Sequence, residues 1–441
     1  MKKVKIGLMA IIMLSVGQSF SYAAQTSLGW AAPLTTTTLK DAIMFAFQRD
    51  PSVGQQAAQV GIGQAQIDQA RSAWMPQLSL SGSAGHSQTT DSSGSLSNST
   101  TWGMSLTQLV YDFGKTNNAI DQSEAQRNSY RYQLMATLSS VAEKTALDYV
   151  EVQRYSALVQ AAQQNIVALQ SVSRMAQLRA QAGLSSTSDE LQTRTRVAGM
   201  QATLQQYQAT LMSARARLAV LTGMNASDYA PIPATLAIKD TSLNDIDYSL
   251  IPSVLAAKEM ESSAQYGIQK VRAQYWPTIS VRGGRTRYQS SNRSYWDNQI
   301  QLNVDAPIYQ GGAVSAQVKQ AQGAKEVAAT QVDQARFDVL QKASVALADW
   351  LGAQARIDVN KQQVLNADQT REVYKNEYTL NKRSINDLLS VEQDVWQAIS
   401  SQINSQYDAW TAAINYATSL DNLLPLLGIE KNTRATLPDL N

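Results

Sequence analysis

The sequence of 441 residues contains no cysteine and a single histidine, His86. Disulfides therefore cannot stabilise the fold, and we expect no lipid anchor on an N-terminal cysteine. The chain also contains no GxSxG, HExxH or P-loop pattern, and each of these marks a common catalytic or nucleotide-binding site. We therefore predict that the protein is not an enzyme, that it needs no cofactor, and that His86 is an ordinary strand or loop residue.

Apolar and charged residues are both limited. Hydrophobic residues make up 44% of the chain, charged residues 16%, and only five residues are Phe. This composition is thin for several globular cores and suits long helices with a narrow buried stripe. Because the formal net charge is only +2, no nucleic-acid partner is indicated.

Long hydrophobic runs are confined to the N-terminus. A basic segment, Met1–Lys5, precedes an apolar run at Ile6–Val16 and the small residues around Ala23, which is the pattern of a secretory signal peptide. We expect cleavage after Ala23. The apolar run is about half of the roughly 20 residues that a spanning helix needs. The sequence therefore predicts an exported protein without a transmembrane helix.

The chain repeats itself at an interval of about 200 residues. Pro76 in RSAWMPQLSLSG corresponds to Pro277 in RAQYWPTISVRGG, and VYDFGKTNNAIDQ from Val110 corresponds to IYQGGAVSAQVKQ from Ile308. Each copy reads as a helix, a proline, two strands joined by a polar loop, a glycine and a very long helix. We therefore predict an internally duplicated fold, mainly α, with four β-strands.

Proline and glycine mark the junctions between strands and helices. Pro76 and Pro277 cannot continue a helix and restrict the residue before them, so each is predicted to end a helix. Gly114, Gly311 and Gly312 are expected to allow the turn from strand to helix.

Each copy contains one predicted hairpin, with strands at 77–88 and 100–111 in the first and at 278–288 and 296–309 in the second. Along 301–306, apolar and polar residues alternate, so one face of the strand is apolar and the other suits water. About ten residues per strand suits a tilted crossing of an outer membrane. A soluble hairpin with one hydrated face is the alternative.

Aromatic residues at both ends of these strands favour the membrane interpretation, because outer-membrane strands end in aromatic girdles. At the helix-proximal ends these residues are Trp74, Tyr111, Tyr275, Trp276 and Tyr309, and nearer the loops they are Trp102, Tyr288, Tyr295 and Trp296. Four strands cannot close a barrel, and open edges in lipid leave backbone groups unpaired at a cost of several kcal/mol each. Several chains are therefore expected to share one barrel.

Long helices follow each hairpin. Apolar residues recur at steps of three or four between Lys115 and Ala182, and some 65 helical residues correspond to about 100 Å. The predicted division of the chain is a signal peptide 1–23, first-copy N-terminal helices 24–76, a hairpin 77–111, long helices 112–222, a connector 223–251, a second-copy helix 252–276, a hairpin 277–310, long helices 311–424 and a C-terminal tail 425–441.

The order, duplication and spacing of these segments resemble those of the TolC-type outer-membrane efflux proteins of Gram-negative bacteria. The matching segments are DAIMFAFQRDPSV, the two Pro-strand-loop-strand-Gly units, and the turns AGLSSTSDEL and LNKRSINDLL. The resemblance implies a homotrimer with a twelve-stranded barrel in outer-membrane lipid and a periplasmic barrel of long antiparallel helices.

The same resemblance implies an exit duct for type I protein secretion or for small toxic molecules. Such a duct works with a periplasmic adaptor and an inner-membrane transporter of the ABC or RND type. The missing anchor cysteine favours the protein-secretion branch, and an outer-membrane component dedicated to RND-type drug efflux is the alternative. From another class, a structural coiled-coil surface protein also explains the long helices, although not the paired strands.

The resemblance also implies a gate at the two helix turns, which form the periplasmic mouth. Asp189, Tyr378 and Arg383 resemble its latch residues, and we expect an ion pair between Asp189 and Arg383. Asp387 resembles an acid of the pore constriction, but Ser390 stands where the family often has a second acid.

Helix capping offers a simpler interpretation of the same turns. Thr187-x-x-Glu190 and Ser384-x-x-Asp387 both fit the capping box, in which a hydroxyl and an acid satisfy backbone N–H groups at a helix start. Capping and gating are compatible, and both interpretations stay open at this point.

Overall fold

The computed structural model describes residues 36–87, 97–226, 228–238, 243, 246–290 and 293–430. The predicted signal peptide and most of the predicted C-terminal tail lie outside these residues. The described part is mainly helical, as predicted, with one four-stranded sheet and one two-stranded ribbon. None of its helices combines the length and the apolar composition needed to span a bilayer.

The two copies share the order of a ribbon strand, a helix, a hairpin and two long helices, and among the described residues each copy has one short helix that the other lacks. The first contains β1 (Thr36–Thr37), α1 (Leu39–Arg49), α2 (Pro51–Arg71), β2 (Gln77–Ser87), β3 (Ser97–Tyr111), α3 (Lys115–Gln181) and α4 (Thr187–Thr222). The second contains β4 (Asp228–Tyr229), α5 (Pro252–Arg272), β5 (Thr278–Ser290), β6 (Ser294–Asp305), α6 (Ala313–Thr379), α7 (Ile385–Ser419) and α8 (Leu423–Leu426). Helices α2 and α5 both have 21 residues, and α3 and α6 both have 67.

Helix α7 ends at Ser419, five residues before its predicted end. The chain turns at Asp421, whose φ of 60° lies in the left-handed region, and the amide of Asn422 donates to the carbonyl oxygen of Ala417 at 2.7 Å. This hydrogen bond ends the helix in the manner of a Schellman motif. The spacing of apolar residues alone does not predict where such a motif occurs.

Glycines with left-handed backbone conformations start both long helices. Gly114, with φ of 89°, precedes α3, and Gly312, with φ of 84°, precedes α6. Residues with a Cβ atom rarely adopt these angles, so both positions favour glycine. Pro76 and Pro277 stand directly before the first strand of each hairpin, after a single 3-10 turn.

The four long strands form one antiparallel sheet in the order β2, β3, β5, β6. Strand β3 of the first copy pairs with β5 of the second, so the sheet joins the two copies. In the described part of one chain, β2 and β6 each keep one unpaired edge and the sheet does not close.

Four helices lie side by side at each level of the helical part. Near the sheet the order is α2, α3, α5, α6, and near the helix turns it is α4, α3, α7, α6. Helices α3 and α6, each about 100 Å long, run through both levels. Helix α6 is therefore at one edge of the chain, and α2 and α4 are at the other.

The largest apolar core lies where α1, α4 and α7 pack on the middle of α3. Tyr149 of α3 is fully buried there, and its hydroxyl donates to the carbonyl oxygen of Thr37 at 3.0 Å and also contacts that of Ala230. Burial raises the pKa of Tyr149 to about 12. These hydrogen bonds fix the ribbon of β1 and β4 to the long helix.

Candidate functional site

One arginine joins the two helix turns. Arg179, in the last turn of α3, donates from Nη1 to the carbonyl oxygens of Tyr378 at 2.9 Å and Thr379 at 3.4 Å, and from Nη2 to Oδ1 of Asn381. Its guanidinium carbon lies 4.8 Å from the centroid of the Tyr378 ring. A basic side chain is favourable at helix C-termini because it satisfies terminal carbonyl groups. Arg179 does this for α6 and so ties the turn of one copy to that of the other.

Tyr378 lies at the centre of this contact. It is 3% exposed and packs in a cluster with Ile385 and Leu388, and its hydroxyl has no hydrogen-bond partner among the described residues. Burial raises the pKa of Tyr378, the positive charge of Arg179 opposes the increase, and the negative charge of Asp189 adds to it. Leaving this buried hydroxyl unpaired is costly.

Arg383 contacts side chains of the second repeat, to which it belongs itself. Its Nε donates to Oε2 of Glu377 at 2.8 Å, and its guanidinium carbon lies 4.3 Å from the ring centroid of Tyr374. Both partners belong to the end of α6. In the described part of one chain Arg383 therefore pairs with Glu377 and not with Asp189, and a pair between Asp189 and Arg383 of neighbouring chains stays a prediction.

The capping interpretation is confirmed at one turn and wrong at the other. The hydroxyl of Ser384 accepts from the amide of Asp387 at 3.2 Å, and the carboxylate of Asp387 accepts from the amide of Ser384 at 3.2 Å, which is a complete capping box. Asp387 is half-buried in the first turn of α7. This geometry leaves its predicted role in the pore untested.

At the other turn, α4 begins at Thr187, so Thr187 is inside the helix and Ser186 is the cap. The hydroxyl of Ser186 accepts from the amide of Ser188 at 3.1 Å. Glu190 then stands one position too far along the helix to reach back to the cap, and it pairs with Arg194 at 2.5 Å instead.

The sequence interpretation missed Arg179, Asn381 and Glu377. Two local signals point to the first two: Arg179 is the basic residue of the last turn of α3, and Asn381 adopts a left-handed φ of 63°, a conformation that Asn tolerates after a helix. That both residues belong to one cluster depends on how the two copies pack, which no local pattern encodes.

The second notable region is the sheet, whose two faces differ. Cross-strand partners such as Leu80 and Met104, or Val281 and Leu302, share one face. The face called apolar here carries most of the apolar side chains, and the opposite face most of the polar ones. On the apolar face these are Leu78, Leu80, Trp102, Met104, Leu106, Ile279, Val281, Ile300, Leu302 and Val304, and on the opposite face Ser79, Ser81, Ser105, Thr107, Ser280, Arg282, Gln299, Gln301, Asn303 and Asp305. Ile300 is 86% exposed. An exposed apolar face of this size, backed by a polar one, suits a boundary between lipid and water.

Aromatic pairs mark the two ends of the apolar face. At the loop end the rings of Trp102 and Trp296 meet edge to face, with centroids 5.1 Å apart. At the helix end Phe113 stacks on Trp276 at 5.4 Å and meets Tyr111 at 4.7 Å. A bulge after residue 109 pairs Tyr111 with Ile279 and so turns this side chain to the apolar face.

The other aromatic residues predicted at the membrane interface differ in their surroundings. Trp74 donates from its ring nitrogen to Oδ1 of Asn117 at 3.1 Å, and Tyr275 and Tyr309 are exposed beside the sheet. Tyr288 and Tyr295 stack at 5.2 Å. The register places this last pair on the polar face, away from the girdle expected from the sequence.

In the described part of the chain, the sheet and the helical part both have edges without a partner. The sheet leaves β2 and β6 half-paired, and the helical part leaves α6 on one side and α2 and α4 on the other. Apolar side chains are exposed along these edge helices: Ile62, Leu191, Met212, Val220, Val327, Phe337, Val345, Leu351, Val359 and Val373. Exposed rows of this kind are typical of interaction surfaces.

Comparison with known proteins gives matches over most of the chain. The family model described as "Outer membrane efflux protein" matches residues 43–224 and 250–421. Outer membrane protein TolC of Escherichia coli K12 is 25% identical over 406 residues, covering 85% of this chain and 80% of that protein. Outer membrane efflux protein BepC of Brucella suis biovar 1 is 22% identical over 384 residues, covering 85% of this chain and 83% of that protein.

A solved structure shares the fold. The outer membrane protein VceC of Vibrio cholerae superposes with a TM-score of 0.75 at 17% identity, over 87% of this chain and 95% of that one.

Proposed function

Because the chain belongs to the outer membrane efflux protein family, we propose that three copies form an exit duct across the outer membrane. The protein is an outer-membrane efflux protein and not an enzyme. The observation that carries the proposal is the pair of unpartnered edges: one chain has half-paired strands at both sides of a sheet with an exposed apolar face. Such edges are not tolerated in lipid, so neighbouring copies must cover them.

The edges suggest how the copies meet. Strand β6 of one chain would pair with β2 of the neighbouring chain, so that three sheets of four strands close into a barrel of twelve. Likewise α6 of one chain would pack against α2 and α4 of the neighbouring chain, giving twelve helices at each level. In this arrangement the apolar face of the sheet meets lipid, and the polar face lines the duct.

The proposed division of the chain follows from this arrangement. Hairpins 77–111 and 277–310 would lie in the membrane, long helices 112–222 and 311–424 would form the periplasmic tunnel, and the connector 223–251 would lie around its middle. This placement favours a duct over the structural coiled-coil surface protein that the sequence alone also allowed.

The helix turns are proposed as the periplasmic gate. The predicted residues all lie in the two turns or in the adjoining helix ends, and they are Asp189, Tyr378, Arg383 and Asp387. Arg179 adds the contact that holds the turns together. We propose that this cluster favours a closed mouth, and that docking of a periplasmic adaptor shifts the equilibrium towards an open one.

The cargo is proposed to be protein substrates of type I secretion, small toxic molecules, or both, supplied by an inner-membrane transporter of the ABC or RND type. Because a duct selects mainly by width and wall charge, the transporter would choose the cargo. A deletion strain tests this directly. Loss of secreted proteins with unchanged drug resistance assigns type I secretion, whereas drug sensitivity with an unchanged set of secreted proteins assigns efflux. A strain unchanged in both would contradict the proposal.

A further inference from the structure

Two arginines lie at the loop end of the apolar face of the sheet. Arg285 of β5 is paired with Met104 on one side and Asn298 on the other, and Arg287 is paired with Trp102 and Trp296. Towards the helices the other side chains of this face are apolar, except for Gln108, which is paired with Val281 and donates to the carbonyl oxygen of Trp74. Charged residues on such a face require an explanation, because arginine is costly in the middle of a bilayer and nearly neutral at its boundary.

Trp296 holds both guanidinium groups on this face. The guanidinium carbon of Arg285 lies 4.5 Å from the centroid of the Trp296 ring, and that of Arg287 lies 5.4 Å from it. These are cation–π distances. The ring of Trp102 supports Trp296 from the side at 5.1 Å.

Neither arginine is neutralised by a carboxylate in the described part of the chain. Asp297 is the nearest acid along β6, and its pairing with Thr286 places it on the polar face. Two positive charges therefore remain uncompensated beside two tryptophan rings. We call these four residues, Trp102, Arg285, Arg287 and Trp296, the Arg-Trp patch.

The height of the Arg-Trp patch matches a membrane boundary. Arg287 stands nine residues after Thr278, which is about 30 Å along a strand at roughly 3.3 Å per residue. With a strand tilt of about 40°, this corresponds to about 23 Å across the membrane, close to the apolar band of about 25 Å in outer-membrane barrels. Arg287 would thus lie at the outer boundary, and Arg285 about 5 Å below it.

We propose that the Arg-Trp patch binds the phosphate group of a phosphorylated lipid in the outer leaflet. This inference rests on the proposed function, in which the apolar face meets lipid. The planar guanidinium group binds phosphate oxygens in pairs, and tryptophan is enriched at headgroup level. Strand β5 is an inner strand of the sheet, so pairing between copies leaves the patch open to lipid.

Arg282 provides a matched control. It belongs to the same strand, carries the same charge and pairs with Gln301 on the polar face. If the patch acts through its position on the lipid-facing side, Arg285 and Arg287 contribute to lipid binding and Arg282 does not.

The test uses the purified full chain in phosphatidylcholine nanodiscs, titrated with bisphosphorylated lipid A and, separately, with the same lipid after removal of both phosphates. We expect the Arg285→Gln/Arg287→Gln variant to bind bisphosphorylated lipid A about 30-fold more weakly than the parent protein, and Arg282→Gln to bind as the parent does. The Arg285→Lys/Arg287→Lys variant keeps the positive charges but loses the guanidinium groups that bind phosphate oxygens in pairs, so its affinity for bisphosphorylated lipid A should be intermediate. The parent should bind the dephosphorylated lipid as weakly as the double glutamine variant binds the intact one.

If the parent protein bound the intact and the dephosphorylated lipid equally, this result alone would overturn the proposal. So would an equal loss in Arg282→Gln, which would indicate unspecific attraction. Single-channel recording in pure phosphatidylcholine separates this result from the proposed function. Equal conductance of the parent protein and the Arg285→Gln/Arg287→Gln variant, whose substitutions lie outside the duct wall, leaves the proposed duct intact whatever the lipid result, whereas no channel in the parent protein would contradict the duct itself.

Discussion

The guanidinium group of Arg179 lies over the ring of Tyr378, 4.8 Å from its centroid, and connects the end of the first long helix to the end of the second. The same side chain donates to two carbonyl groups at the end of α6. The contact therefore depends on the position of one helix pair relative to the other. Any movement that separates the two turns must break it.

We expect Arg179→Ala to favour an open mouth and to raise single-channel conductance. Hydrogen bonds from a charged donor contribute about 1.5–3 kcal/mol, so their loss would weaken the closed state by about this amount in each chain. Arg174→Ala is the control, because Arg174 is an exposed arginine of the same helix. Equal conductance of Arg179→Ala and the parent protein would contradict a role in closure.

The partner of Arg383 can be identified by combining variants. If Arg383 of one chain also binds Asp189 of the next, Arg383→Ser and Asp189→Asn should each raise conductance, and the double variant should add nothing further. If Arg383 serves only its own helix through Glu377, Glu377→Gln should reproduce the effect of Arg383→Ser. An unchanged conductance in Arg383→Ser would remove Arg383 from the latch.

Capping and pore charge can be separated at α7. We expect Ser384→Ala to cost about 1 kcal/mol of unfolding free energy and to leave cation block unchanged, because the hydroxyl of Ser384 only caps the helix. Asp387→Ala should lower stability by a similar amount and also reduce block by multivalent cations, because it removes the acid. Block that persists in Asp387→Ala would place this residue outside the constriction.

The Tyr149 hydroxyl should be a major stabilising group of the middle of the chain. We expect Tyr149→Phe to lower the unfolding free energy by about 1 kcal/mol, because a buried hydrogen bond of the hydroxyl is lost, while the amide of Ala230 still donates to the carbonyl oxygen of Thr37 and Gln153 to that of Ala230. Tyr155→Phe, on the same helix but half-buried, is the control. Chemical denaturation of the purified protein measures both.

Alkaline pH gives a second readout of Tyr149. Burial raises its pKa in the folded protein to about 12 from the usual tyrosine value of about 10, so folding favours the protonated form. This contribution is complete below pH 10 and is lost as the pH rises through 12. The stability difference between the parent protein and Tyr149→Phe should therefore shrink between pH 10 and 12, and a constant difference would contradict the assignment.

The sequence predicted the repeating architecture well because its signals are local. Pro76, Pro277, Gly114 and Gly312 act on their own segments of backbone, and the strand alternation requires only neighbouring residues. The cluster at the helix turns was harder to predict. Arg179 and Tyr378 are 199 residues apart, and only the packing of α7 against both α3 and α6 brings them together.

The sheet faces illustrate the same limit. The alternation in β6 predicted one apolar face, but the bulge that turns Tyr111 onto it and the register that turns Tyr288 away from it depend on pairing between the two copies. The cap of α4 was missed by one residue because Ser186 and Thr187 are both suitable cap residues. Only the backbone angles of Ser186 decide between them.

The most direct test is the mass of the protein after mild detergent extraction from outer membranes, measured by native mass spectrometry and followed by bilayer recording of the same sample. The proposed pairing of β2 and β6 between copies predicts a species of three chains that conducts ions. A stable single chain that does not conduct would mean that one copy satisfies its own sheet edges, and it would contradict the duct.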